Sequence, residues 1–159
     1  MAQRAISSLE INNGVCHTEI KITKEGPKIV ELNPRIGAEH IPDMGFLALG
    51  VNLYEAAVNI ALGIKPDLTK KITKSASIKF LTAEPGIVSS ISGINEACKI
   101  SGVWDISIQA HKGDSITPLF SNTQRLGHVL VVGENPTIAE KRTRQAKELI
   151  KITTENPQP

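Results

Sequence analysis

Polar and apolar residues alternate near the start of the chain, which predicts two strands joined by a tight turn. Residues 15–23 place apolar side chains such as Ile20 and Ile22 on one face and polar side chains on the other. This alternation is typical of a half-exposed strand. Lys24-Glu25-Gly26 predicts a three-residue loop ending in a left-handed glycine. Residues 27–33 then return as a second strand of the same hairpin.

The length of the loop determines which residues of the two strands face each other. A three-residue loop pairs Thr23 with Pro27, and counting back from this pair in steps of two places Glu19 opposite Glu31. The roots of two directly opposed side chains lie ~5 Å apart, and like charges in such a pair destabilise a sheet. A cation between the two carboxylates would remove that penalty.

Beyond the hairpin, the apolar residues follow the helical period. One helix is predicted over residues 39–49 and ends at Gly50. A second begins with a capping box headed by Asn52 and ends at Gly63. The polar, proline-containing residues 65–74 then predict a boundary between two domains.

The remainder of the chain predicts short strands and one long helix. Turn residues separate the strands, which are expected at 77–82, 86–91, 104–110 and 127–133. A capping box headed by Thr137 opens the final amphipathic helix. The predicted fold class is therefore α+β, with mostly antiparallel strands packed by helices.

Three segments follow from this order of elements. The first domain is predicted over residues 1–72, where Ala2–Ser8 forms the last turns of a helix before the hairpin. The second domain is predicted over residues 73–154. A polar, disordered tail is expected over residues 155–159.

Composition narrows the class of protein. Of the 159 residues, 40% are hydrophobic and 21% are charged, as in ordinary soluble domains. An aromatic content of 3% and a net charge of +2 argue against a nucleic-acid partner. No apolar run approaches the ~20 residues of a membrane span. Cys16 and Cys98 form no CxxC pattern, so we expect free thiols and a cytoplasmic protein. Homo-oligomer formation is left open.

Candidate chemistry is concentrated on the polar face of the hairpin. Glu19, Glu31 and Asn33 offer oxygen donors on that face. Mg²⁺ binds through one or two carboxylates together with substrate phosphates. Arg35 follows the strand and could hold a phosphoryl or carboxylate oxygen through two hydrogen bonds. The same spacing also fits a half-exposed hairpin with solvated glutamates, so the residues alone leave both interpretations open.

Four motifs together resemble the ATP-grasp superfamily. In family order and spacing, they are Gly14-Val-Cys-His-Thr-Glu19, Val30-Glu-Leu-Asn-Pro-Arg-Ile-Gly37, Gly50-Val-Asn-Leu53 and Ala61-Leu-Gly63. Gly127-His-Val-Leu-Val-Val-Gly133 and the helix after it resemble the C-terminal subdomain of carboxylate–amine ligases in this superfamily, such as bacilysin-type L-amino-acid ligases and biotin carboxylase. The resemblance implies the C-terminal portion of an ATP-grasp fold.

The resemblance also implies roles for individual residues. Glu19, Glu31 and Asn33 match positions that hold two Mg²⁺ ions, or Mn²⁺, on the phosphates of ATP. Arg35 matches a residue that contacts the acyl-phosphate or substrate. Glu39 echoes the base of biotin carboxylases in the run Arg-x-x-x-Glu-His. The alternative for Glu39 is an acid in the first helical turn, favoured by the helix dipole.

The resemblance covers only part of an ATP-grasp enzyme. Its first lobe carries phosphate-binding lysines, a lid and the adenine pocket, and we find no match to it before Leu9. We therefore expect a fragment of an ATP-dependent carboxylate–amine or carboxylate–thiol ligase that is incomplete and inactive by itself. Its expected partners are the missing lobe, ATP and small carboxylate and amine substrates.

Two other interpretations remain open. The chain could be an isolated or degenerate domain that associates with a partner without catalysis, marked by an exposed apolar patch beside the hairpin. It could also be a metal-free α+β interaction domain whose glutamates are simply solvated.

Overall fold

A computed structural model describes residues 1–156. The chain forms two compact units, Met1–Thr73 and a second unit from Lys74 onward, and each is described separately below. The first unit contains, in order, α1 (Ala2–Ser8), β1 (His17–Thr23), β2 (Gly26–Asn33), α2 (Ile41–Leu49) and α3 (Leu53–Ala61). Its two strands pair antiparallel, which confirms the predicted hairpin.

The loop of this hairpin is shorter than predicted. Thr23 pairs with Gly26, so the loop holds two residues and the expected pairing of Thr23 with Pro27 is wrong. The Thr23 hydroxyl donates to the carbonyl oxygen of Gly26 at 2.8 Å and accepts from the backbone N–H of Glu25 at 3.2 Å. These two bonds satisfy backbone polar groups within the two-residue turn.

A bulge in β2 restores the predicted pairing of the two glutamates. The register shifts between Glu19 and Ile20: Ile20 pairs with Ile29, whereas Glu19 pairs with Glu31. Val30 is therefore the extra residue on the bulged strand. The expectation that Glu19 faces Glu31 is confirmed, although the short loop and the bulge produce it together.

The helices of the first unit start and stop at identifiable signals. Asn52 caps α3, because its side-chain oxygen accepts from the N–H groups of Tyr54 and Glu55, each at 3.1 Å. Gly50 ends α2 in the left-handed region with φ of 72°. The start of α2 was predicted too early, since the helix begins at Ile41 and not at Glu39.

Residues 1–73 form only a thin core. The buried residues in this part of the chain are Pro42, Leu47 and Ala56. Large apolar side chains of the hairpin remain exposed, including Ile22 at 77% and Val30 at 59%. Hydrophobic stabilisation grows with the apolar area removed from water, so this unit gains comparatively little from its own packing.

The second unit contains two three-stranded antiparallel sheets. Its elements are β3 (Ser75–Phe80), β4 (Gly86–Ser92), α4 (Ile94–Cys98), β5 (Val103–Ile108), β6 (Ser115–Ile116), a 3₁₀ turn (Asn122–Gln124), β7 (Gly127–Gly133), α5 (Pro136–Leu149) and β8 (Lys151–Glu155). The strand orders are β3-β7-β5 and β6-β4-β8. The predicted α+β class with mostly antiparallel strands is confirmed.

The core of this unit lies where β7 meets α4 and α5. Val129 and Val131 on one face of β7 are fully buried, as are Ala97 of α4 and Ala146 of α5. They form one cluster together with Leu81 and Ile150. Because alanine side chains are small, the two helices can approach the sheet closely and form a well-packed core with it.

Two predictions for the end of the chain are wrong. Asn135, and not Thr137, caps α5, because the Asn135 side chain accepts from the N–H of Ile138 at 3.0 Å. No strand was predicted after this helix, yet β8 pairs with β4 as far as Glu155. Glu155 therefore does not belong to the expected disordered tail, and residues 157–159 of that tail lie outside the described residues.

Residues 1–156 contain no single helix with the length and apolar character to cross a membrane. Taken together, α2 and α3 have the length and apolar composition of a membrane span, but their axes meet at a bend of 106°.

A matched pair of glycines tests the packing of the second unit. A Cβ added to Gly93, whose φ is 81°, would lie 1.9 Å from the Leu149 carbonyl oxygen, whereas a Cβ on Gly113, whose φ is 96°, would meet nothing within 4 Å. Gly113→Ala should cost about 1–2 kcal/mol from the left-handed backbone alone. Gly93→Ala should cost about 1–3 kcal/mol more because of overpacking. Urea unfolding measures both, and equal losses would contradict the close approach.

Candidate functional site

Two carboxylates and an amide lie together on one face of the hairpin. Glu19 on β1 is the direct cross-strand neighbour of Glu31 on β2. The side-chain amide of Asn33, two residues further along β2, donates a hydrogen bond to Glu31 Oε1. Both glutamates are exposed, and Asn33 is half-buried. The structure thus brings together the three residues that the sequence selected as oxygen donors.

In the part of the chain that the structure describes, neither carboxylate of this pair forms an ion pair with a Lys, Arg or His side chain. Ion pairs elsewhere in the first unit join Lys28 to Glu25, His40 to Asp43 and Lys71 to Asp67. Directly opposed like charges are destabilising. Across residues 1–156, no group of three His, Cys, Asp or Glu side chains could hold a metal. An ion bound here would need waters or ligand oxygens in addition to the protein's donors.

Arg35 is anchored at the end of β2 by its own backbone. Its N–H donates to the carbonyl oxygen of Asn33 at 2.8 Å, and its guanidinium Nη1 donates to the carbonyl oxygen of Ile36 at 2.9 Å. The residue is exposed. A guanidinium carries five N–H donors, so the bond to Ile36 occupies only a small part of its capacity to bind an oxyanion.

Glu39 lies outside the helix to which its sequence context assigned it. Glu39 and His40 have φ values of 54° and 65°, so two consecutive residues are left-handed immediately before α2. Glu39 is therefore not an acid of the first helical turn, and that alternative is wrong. Left-handed backbone at residues other than glycine is uncommon and concentrates at functional sites.

His17 packs against the start of the loop that follows β2. It lies opposite Asn33 in the register of the hairpin. A Cβ placed on Gly37 would come within 3.3 Å of His17 Nδ1 and 3.1 Å of Ile41 Cγ2. This close approach links the donor face of the hairpin to the beginning of α2 and favours a packing role for His17.

A group of polar side chains around Asp43 was not found in the sequence. His40 Nδ1 lies 3.0 Å from Asp43 Oδ2. Tyr54 of α3 also contacts Asp43: its partial burial, then the charge of Asp43 and a hydrogen bond to it, raise the pKa of the phenol above its ordinary value of 10.0. The spacing of three residues between His40 and Asp43 was a usable signal, but the contribution of Tyr54 depends on how α2 meets α3.

The second unit contains another pair that the sequence did not connect. The buried His128 on β7, which is 6% exposed, lies with Nε2 2.7 Å from Asp105 Oδ2 on β5. The guanidinium of Arg125 stacks 3.8 Å above the ring of Phe80, which faces His128 in the sheet register. The two partners of each contact lie 23 or more positions apart in the chain, so only the strand order brings them together.

Sequence similarity to known proteins extends over both units of the chain. Residues 79–155 match the family model described as L-amino acid ligase C-terminal domain 2. The uncharacterized protein y4rH of Sinorhizobium fredii is 28% identical over 151 residues, which cover 94% of this chain and 32% of y4rH. The chain thus spans about a third of the length of this relative.

Solved structures share the fold. An L-amino acid ligase from Bacillus licheniformis superposes with a TM-score of 0.81 at 20% identity, covering 98% of this chain and 39% of that protein. The biotin carboxylase domain of Hydrogenobacter thermophilus 2-oxoglutarate carboxylase, determined with MgADP and bicarbonate, gives a TM-score of 0.62 at 19% identity. It covers 88% of this chain and 32% of that one. At these identities, the structural likeness establishes the fold alone.

The contact between Tyr54 and Asp43 can be read directly, because Tyr54 is the chain's single tyrosine. Tyrosinate absorbance should rise with a midpoint above pH 10.0, since folding favours the protonated phenol. As the pH rises above this value, the unfolded state releases the proton first, so folding stability should fall. Asp43→Asn should move the midpoint down towards 10.0. Asp67→Asn, at an exposed aspartate of the same unit, should leave it in place; equal shifts would contradict the contact.

Proposed function

We propose that this chain, which corresponds in sequence and fold to the C-terminal part of an ATP-grasp ligase, contributes the Mg-ATP phosphate site of a carboxylate–amine ligase. The observation that carries this proposal is the direct opposition of Glu19 and Glu31, with Asn33 on the same face of the hairpin. The matched L-amino acid ligase domain supports the general kind of enzyme.

The donor set fits a hard divalent cation. Carboxylate and amide oxygens are ligands that Mg²⁺ accepts, and Mg²⁺ commonly leaves further positions to water and substrate phosphates. Glu19, Glu31 and Asn33 would hold Mg²⁺, or Mn²⁺, on the phosphates of ATP. A cation there supplies charge neutralisation and orientation of the phosphates. It also compensates the repulsion between the two glutamates.

The remaining residues have roles that follow from their chemistry. In the proposed reaction, a substrate carboxylate oxygen attacks the γ-phosphorus of ATP and ADP leaves, which gives an acyl-phosphate. The amine nitrogen then attacks the acyl carbon and phosphate leaves. Arg35 would donate hydrogen bonds to the acyl-phosphate oxygens, as guanidinium does for oxyanions. Glu39 would accept a proton from the attacking amine.

A thiol in place of the amine would give the carboxylate–thiol version of the same sequence of steps. Phosphoryl transfer depends on positioning and on charge stabilisation from several directions. The hairpin supplies one of these directions. We therefore expect the chain by itself to be incomplete and inactive, with the lobe that binds the rest of ATP supplied by further polypeptide.

One observation favours a second candidate function. Isoleucine and valine side chains of the hairpin are exposed, and contiguous exposed apolar surface is typical of sites that bind another protein. In this candidate function the chain is a non-catalytic association module, and a partner carrying the absent lobe covers these residues.

Titration with Mg²⁺-ATP, followed by the amide resonances of the hairpin, tests the proposed site. We expect Mg²⁺-dependent shifts near Glu19 and Asn33 in the wild type, because the phosphates and the ion would lie on this face. Glu31→Gln keeps the side-chain shape but removes one charged ligand, so the shifts should be lost. Glu25→Gln, at the hairpin tip beside Lys28, is the matched control and should behave as the wild type.

Two results would count against the ligand site. One is a wild type that does not respond to millimolar Mg²⁺-ATP, which leaves the association module or a metal-free interaction domain. The other is an equal response in Glu31→Gln, which would show that nucleotide binds without this carboxylate.

A further inference from the structure

The loop between β2 and α2 has an unusual backbone. Glu39 and His40 are both left-handed, and neither is glycine. Left-handed backbone brings the Cβ of an ordinary residue too close to its following carbonyl oxygen, so it persists only where surrounding contacts hold it. The loop must therefore be held by contacts of its own side chains or neighbours.

A side-chain contact that can hold this backbone joins His40 to Asp43. His40 Nδ1 lies 3.0 Å from Asp43 Oδ2, and both side chains are half-buried. This contact ties a left-handed residue to the first turn of α2. Backbone bonds on either side, from Ile41 N–H to the Ala38 carbonyl and from Met44 N–H to the His40 carbonyl, complete the turn.

The chemistry of these groups fixes the state of the histidine ring. An ionised carboxylate only accepts hydrogen bonds, so the nitrogen facing Asp43 must carry a proton. The neutral His40 ring is then protonated on Nδ1, and its Nε2 is the accepting nitrogen. A carboxylate that fixes the tautomer and orientation of a neighbouring histidine is a recurring device in active sites.

The held loop connects directly to the donor face of the hairpin. Gly37 stands so close to His17 Nδ1 and Ile41 Cγ2 that a methyl group there would contact both. His17 lies opposite Asn33 in the hairpin, so the loop packs beside one of the three oxygen donors. Glu39 is part of this loop, so its position depends on the conformation of the loop.

We propose that Asp43 is a positioning residue of the candidate site: by fixing the tautomer and orientation of His40, it holds the left-handed Glu39–His40 backbone and so places Glu39. This positioning role depends on the proposed ligase function. The structural device itself stands on geometry that needs no nucleotide.

The protonation of the two His40 ring nitrogens can be measured directly. Nitrogen-15 NMR of the neutral ring should show His40 protonated on Nδ1 in the wild-type chain, and three-bond HN–Hα couplings should show positive φ at residues 39 and 40. Asp43→Asn offers both an oxygen and an NH₂ group, so both tautomers become compatible. The variant should lose the single tautomer and shift both couplings. A change of fold alone would not select one ring nitrogen.

The wild type itself and one control variant keep the test decisive. The tautomer of the wild-type ring can be measured even if Asp43→Asn does not fold. Asp67→Asn is the control for loss of an exposed aspartate and should match the wild type in every readout.

Two results would overturn the proposal: a wild-type His40 protonated on Nε2, or unchanged couplings in a folded Asp43→Asn. Since none of these readouts uses nucleotide, a failure of Mg²⁺-ATP to bind would count against the proposed function and leave the positioning device standing.

Discussion

Two negative charges facing each other across a small exposed hairpin are the constraint on which the first unit depends. Glu19 and Glu31 are direct neighbours, and Asn33 donates to one of them. In the absence of a cation, this arrangement weakens the sheet that carries it. The unit has few fully buried residues with which to offset that cost. The opposed carboxylates are therefore costly for folding and suited to binding a cation.

Two departures from the predicted hairpin compensate each other, so the two carboxylates remain opposed. The loop is one residue shorter than the sequence suggested, and the bulge at Val30 adds the residue back before Glu31. Either change alone would move Glu31 to the opposite face, since side chains alternate along a strand. The loop after the hairpin is held through His40 and Asp43, and Gly37 of that loop packs closely against His17 of the hairpin.

Hydrophobic periodicity and the residues that begin and end helices made much of the fold predictable. The glycines at 50 and 63, the Asn52 cap and the continuous apolar run of β7 each act locally, and each was read correctly. Features that depend on contacts between distant parts of the chain were not predicted. Asn135 outcompeted Thr137 as a cap because Pro136 sets the start of α5, and β8 exists because β4 offers it an edge. Within the candidate site, the three donors were predictable from alternation. The left-handed backbone at Glu39 and the effect of Asp43 on Tyr54 depend on the folded structure and were not predicted.

The free energy of opening of the hairpin, measured by amide hydrogen exchange, shows whether the opposed carboxylates destabilise it. In low salt without divalent ions, Glu31→Gln should be more stable than the wild type by about 0.2–1 kcal/mol, because it removes the opposed charge. Mg²⁺ should then stabilise the wild type more than the variant, beyond the effect of NaCl at equal ionic strength. A variant no more stable than the wild type, with an identical response to Mg²⁺, would contradict the account.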